Sequence, residues 1–185
     1  MAPDPERSRR RQRALAPLLG GDARIAAVEA LLQRRALEWA EAVAASVGAV
    51  VEAGSGDAVP AGVGDSGSCG AVSAGAGDGP TLLVWPELPV WLPETGAAAL
   101  ADLAAGCAAS IGAVFDGRLY LLAVGEPIPG LVDGPPAIGQ VLRVVEERGL
   151  EVGLLRAERG LREPDDVRAL LADPLTDAEL LTLLG

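Results

Sequence analysis

The chain has 185 residues, room for one domain with a sizeable core, and its 26 acidic against 15 basic residues leave a net charge of -11. That charge excludes a general nucleic-acid binder, because neutralising phosphates needs a basic face. The complete lack of His excludes a histidine general base, a Ser-His-Asp triad and every imidazole metal ligand, so acid–base chemistry falls to carboxylates.

Residues Met1 to Arg13 are polar and carry Arg7, Arg9, Arg10, Arg11 and Arg13. A solvated tail is the plainer reading of this charge run; an anion-binding role is the other, since clustered guanidinium groups pair with phosphate. Ala14 to Gly21 is short, contains Pro17 and makes a poor signal peptide. Asp22 is placed to cap a long helix in which Ile25, Val28, Leu32, Trp39 and Val43 share one face, and Gly48 stops it. Ala49 to Ala53 reads as a strand. Gly54 to Gly79 is rich in Gly, Ser, Ala and Asp with hardly any large side chain, so it is expected to be an excursion or lid; the lesser alternative is a phosphate-cradling glycine loop, although it lacks G-x-x-x-x-G-K-[ST] and no G-x-G-x-x-G follows a strand and opens a helix.

The stretch from Thr81 to Val124 organises the rest. Thr81 to Trp85, bounded by Pro80 and Pro86, suits a strand buried on both faces, followed by the acidic turn Pro86-Glu87-Leu88-Pro89. Pro93 to Ala105 is built of good helix formers with Pro93 in the first turn. Ser110 to Phe115 and Arg118 to Val124 then read as strands joined at Asp116-Gly117. This order places Glu87 and Asp116 at strand ends, where open α/β sheets hold ligands. The plainer alternative is that Glu87 is a solvated turn residue and Asp116 only makes its turn.

Further on, Ile138, Val141, Leu142 and Val145 form one apolar helix face ending at Gly149, and Leu150 to Leu155 reads as a strand. Pro164 to Ala172 is a short helix, and Thr176-x-x-Glu179 is a capping box for a last one. Strands alternating with helices predict a largely parallel sheet covered on both faces. Only 3% of residues are aromatic, so the core must be packed from Ala, Val and Leu around Trp39, Trp85 and Trp91. Cys69 and Cys107 lack a C-x-x-C partner and suit a reducing compartment, and no uncharged apolar run reaches the roughly 18 residues that span a bilayer. The expectation is a soluble cytoplasmic protein without a membrane span or a nucleic-acid partner.

Five segments carry a resemblance. Arg13-Ala14-Leu15-Ala16-Pro17-Leu18-Leu19-Gly20 parallels a Lys-Thr-Arg triplet leading into Leu-x-Pro-x-Leu-Gly, and Gly64-Asp65-Ser66-Gly67 parallels Gly-Asp-Leu-Gly. Leu83-Val84-Trp85-Pro86-Glu87-Leu88-Pro89 is similar to a Gly-Thr-Asp-x-Pro turn, Phe115-Asp116-Gly117-Arg118-Leu119-Tyr120-Leu121 to Glu-Asp-Gly-Gly-Tyr-Tyr-Leu, and Leu161-Arg162-Glu163-Pro164-Asp165-Asp166-Val167 to Asp-Val-Asp-x-Pro-Glu-Asp-Leu. Together they resemble the small bacterial nucleotide-diphospho-sugar transferase-like proteins of the GT-A fold, which include arsenosugar-type glycosyltransferase homologues.

The resemblance implies a basic tail over 1–13 and a single three-layer α/β domain over 14–185, with a mostly parallel sheet and helices on both faces. It implies a glycosyltransferase or nucleotidyltransferase acting on a nucleotide-activated sugar or nucleoside triphosphate. Arg13, Asp65 and Gly117 would bind substrate, Glu87 would hold Mg or Mn, and Asp116 would act at the acceptor side. The chain departs from the pattern in three places. The family's first strand has no counterpart upstream of the triplet, the triplet reads Gln12-Arg13-Ala14, and Gly160 and Arg162 stand where the family ending has aspartates. A degenerate, non-catalytic homologue kept as a binding or partner protein is therefore the alternative expectation.

Overall fold

A computed structural model describes residues 13–47, 50–52, 70–73, 80–126, 128 and 137–185. Helix α1 covers 13–19 and breaks at Gly20 and Gly21, whose φ of 76° and 148° lie where a side chain would strain the backbone. The elements that follow are α2 (Asp22–Val47), β1 (Val50–Glu52), β2 (Gly70–Ser73), β3 (Thr81–Val84), α3 (Pro93–Ala104), β4 (Ala109–Ala113), β5 (Leu119–Val124), α4 (Ile138–Glu147), β6 (Val152–Leu154), α5 (Pro164–Ala172) and α6 (Ala178–Leu184). Among these elements no helix is long and apolar enough to cross a membrane.

The architecture is α/β, as expected, but the sheet is mixed and mostly antiparallel, in the order β1-β2-β3-β5-β4-β6. Only β4 and β6 pair in parallel. The expectation of a mostly parallel sheet fails in two places: β1, β2 and β3 pair antiparallel in chain order, and the hairpin at Asp116-Gly117 folds β5 back between β3 and β4. The unit β3-α3-β4 becomes a split crossover whose two parallel strands are separated by an antiparallel one. Strand–helix alternation cannot reveal such an insertion. Two further corrections concern Gly54 to Gly79, where Gly70–Ser73 forms β2, and the last helix, which is capped by Asp177 rather than Thr176. The Asp177 carboxylate accepts the Leu180 N–H at 3.0 Å, while the buried Thr176 hydroxyl donates to the Leu170 carbonyl.

Strand residues alternate between two cores. Leu82, Val84, Leu121 and Ala123 pack with Trp39, Ala40 and Val43 of α2 and Ala99 of α3. Leu83, Trp85, Ile111 and Leu122 pack with Val141 and Val145 of α4. Each Leu or Val fully removed from water contributes roughly 1.5–3 kcal/mol, so this pattern drives both faces shut. The register of β4 against β5 shifts at Gly112/Ala113, and the extra residue is Tyr120. Tyr120 therefore joins the α2–α3 side and lies across Gly112, where an added Cβ would come within 2.4 Å of its ring. A third core joins the first half of α2 to α1, α5 and α6 through Leu15, Leu19, Ile25, Leu32, Leu161, Val167 and Leu180. Helix α2 thus ties a helical cluster to the sheet, using the face its sequence predicts.

Candidate functional site

Glu87 is turned inward by a tight turn after β3, in which its N–H donates to the Trp85 carbonyl at 2.7 Å. Its carbonyl accepts the Leu161 N–H at 3.0 Å, which brings in the segment that follows β6. That segment also runs beside the β4–β5 hairpin: Glu158 N–H donates to Ala113, and Phe115 N–H donates to Glu158. Gly160 keeps it close, since an added Cβ would sit 3.3 Å from Val114 Cγ1. The result is a charged cleft of about 250 Å3 that brings Glu87 and Asp116 together with Arg159, Arg162, Glu163 and Asp166.

Glu87 is only 2% exposed and so is no solvated turn residue; it has an interaction partner within the protein. Asp116 pairs with Arg118, and its Oδ1 also accepts the Arg118 N–H at 3.1 Å. Gly117 adopts φ 83°, closing the turn through its N–H to the Val114 carbonyl. Asp166 Oδ2 accepts the N–H groups of Arg162 at 3.1 Å and Glu163 at 2.9 Å, and its Oδ1 lies 3.5 Å from Arg159. The Arg159 guanidinium sits over the Phe115 ring, 5.5 Å from its centroid. Arg13 begins α1, is exposed and does not line the cleft. Asp65 lies outside the described residues.

A hard divalent cation needs several oxygen ligands. Among the described residues no group of three or more Asp, Glu, Cys or His side chains is placed to hold a metal ion. Asp116 and Asp166 are committed to bonds within the protein, and Arg159 and Arg162 bring positive charge into the same space. These residues do not fit a metal–diphosphate site.

A larger recess, about 560 Å3 and outside the sequence-predicted site, runs along α2. Arg35, Glu38, Trp39, Ala42, Val43 and Ser46 form its helical wall, and Pro89, Val90, Trp91, Pro93 and Ala97 face them. The helical stripe from 35 to 46 is about 16 Å long at 1.5 Å per residue. Trp39 and Trp91 lie 4.7 Å apart between ring centroids, and Tyr120 meets Trp91 edge-on at 5.8 Å. Gly96 allows α3 to approach, since an added Cβ would come within 2.5 Å of Val43.

Bonds across the groove hold its walls. Trp39 Nε1 donates to the Leu92 carbonyl at 2.9 Å. Arg35 donates to the Pro89 carbonyl at 2.6 Å and to Asp177 at 2.8 Å, with Glu179 at 3.5 Å. The hydrogen bond from Arg35 holds the Asp177 carboxyl below its usual range, against an opposing effect of burial. A sequence signal for this groove existed in Trp39, Pro89, Trp91 and Pro93, but aromatic residues near prolines also build ordinary cores.

No protein family matches this chain, nor does any curated protein or solved structure.

Proposed function

We propose that this chain is a non-catalytic binding protein, the second of the two expectations, and that its ligand surface is the tryptophan-lined groove along α2. The observation that carries this reading is the condition of the charged cleft. Asp116 and Asp166 are bonded within the protein, and two arginines stand among them, which leaves no set of carboxylates among the described residues for metal-assisted transfer. The groove, by contrast, has the size and mostly apolar lining of a small-molecule site.

One observation favours the transferase reading, with its three-layer GT-A arrangement and a Mg or Mn ion at Glu87: Glu87 and Asp116 do line one cleft. A thermal-shift experiment with Mg or Mn and a uridine, guanosine or cytidine diphosphate sugar separates the two. A bound donor at about 100 times its dissociation constant would stabilise the fold by roughly 2.7 kcal/mol, or about 5–10 °C for a domain of this size. The expected result is no metal-dependent shift. A shift that requires metal and vanishes in Glu87→Ala would restore the transferase.

A further inference from the structure

The groove's chemistry follows from which of its polar groups are already used. Its donors face the protein: the Trp39 indole N–H is held by Leu92, the Ser46 hydroxyl by the Val43 carbonyl at 2.7 Å, and the Arg35 guanidinium by Pro89 and Asp177. The Trp91 indole nitrogen is buried, with no partner among the described residues, and so is closed to a ligand lying in the groove. Acceptors are left over. Glu38 is exposed on the helical wall and forms no hydrogen bond or ion pair with the described residues. The lone pairs of Ser46 Oγ lie two turns further along the same stripe. Arg35, the one cation among the described lining residues, is neutralised by Asp177 and Glu179.

A recess whose described lining offers an unpaired carboxylate and hydroxyl lone pairs beside the Trp39 and Trp91 rings, and whose arginine is already offset by carboxylates, suits a ligand that brings the positive charge itself. We infer that the groove binds a small organic cation, an ammonium group carried on an aryl or alkyl body. The body lies against Trp39, Trp91 and Val43, where burial of apolar surface supplies most of the affinity. The ammonium group reaches Glu38. Anionic ligands, nucleotides among them, meet the Glu38 carboxylate here with no unpaired cation among the described lining residues to offset it. This inference rests on the groove being the ligand surface and adds the ligand's charge.

Three probes sharing one body test it: 4-phenylbutylamine, 4-phenylbutanol and 4-phenylbutyrate, titrated calorimetrically against the full chain and against Glu38→Gln. Glu38 is exposed and has no partner among the described residues, so the variant folds as the parent does, which its melting temperature checks. The amine should bind about fivefold or more tighter than the alcohol, and the carboxylate most weakly. In Glu38→Gln the amine should lose about threefold while the alcohol stays unchanged. If alcohol and amine bind equally, or the carboxylate binds best, the cation inference fails and the groove stands as a binding surface. If no probe binds, both fail. If the amine's advantage survives Glu38→Gln intact, the cation is held elsewhere and the assignment to this groove is wrong.

Discussion

In the charged cleft the carboxylates of Asp116 and Asp166 take N–H groups from their own chain, whereas along α2 the Trp39 and Ser46 donors are bonded within the protein and the Glu38 carboxylate has no partner among the described residues. Counting acidic residues alone would rank the cleft first. The cleft holds more carboxylates, yet Asp116 serves a hairpin turn and Asp166 a helix start. What a recess can do depends on hydrogen-bonding capacity that folding has left free. Tyr120 connects the two physically: its ring meets Trp91 of the groove, and its hydroxyl donates to the Arg156 carbonyl at 3.0 Å, at the head of the segment that forms the cleft.

The sharpest way to separate the recesses is to loosen one alone. Leu161 is fully buried in the helical core, and its N–H holds Glu87. Leu161→Ala should cost about 2–5 kcal/mol, read by denaturant unfolding, while the folded fraction keeps its groove affinity for the arylalkylamine. Loss of that affinity at full folding would mean that the two recesses are one coupled site.

Gly112→Ala attacks the link from below. Its Cβ would sit 2.4 Å from Tyr120 Cζ and 2.8 Å from the hydroxyl oxygen, so the ring must move toward Trp91. Overpacking of this kind costs about 1–3 kcal/mol, and amine affinity should fall with it. Unchanged affinity would show that Tyr120 does not support the groove wall.

Tyr120→Phe removes only the hydroxyl, at a cost of about 1 kcal/mol near neutral pH. Burial, helped by the Glu158 charge, pushes the Tyr120 phenol up to about 12. An unfolded tyrosine ionises near pH 10, so above that pH the folded state keeps a proton that the unfolded state releases. The stability contribution is complete below pH 10 and is lost as pH rises toward 12. The sequence holds one Tyr and no Lys, so phenolate absorbance reports this group alone. An ordinary titration near pH 10 in the folded protein would break the connection between the recesses.

Much of this fold was legible in the sequence because its signals are local. The apolar face of α2, the buried run Thr81–Val84 and the Asp116-Gly117 hairpin all rest on spacings within one element or turn, and the structure has each of them. The pairing order was not legible. The same strand and helix order fits a parallel sheet or one with β5 inserted, and nothing local distinguishes them. Strand β2 went unread because Gly70-Ala71-Val72-Ser73 has too little side chain to announce itself. At the site, the meeting of Glu87 with Asp116 followed from strand ends, but the engagement of the carboxylates depends on backbone N–H groups that a sequence does not display. Arg13 was read through the resemblance and begins a helix away from the cleft lining.

The smallest expected effect bears on what Asp116 is for. Its side chain is 43% exposed, so its ion pair with Arg118 is worth little in water. Its bond to the Arg118 N–H is different in kind, since it closes the turn before β5 in the manner of an Asx turn. Asparagine keeps that acceptor and loses only the charge, whereas alanine loses both. Asp116→Ala should therefore cost about 0.5–1 kcal/mol, and Asp116→Asn less than about 0.5 kcal/mol, measured by chemical unfolding in parallel. The split assigns the residue to its turn, because a role in holding or moving a proton would depend on the charge that asparagine lacks. Equal losses in the two variants, or a loss on Asp116→Asn that grows at low salt, would show that the carboxylate's charge is in use and would move the functional reading back to the charged cleft.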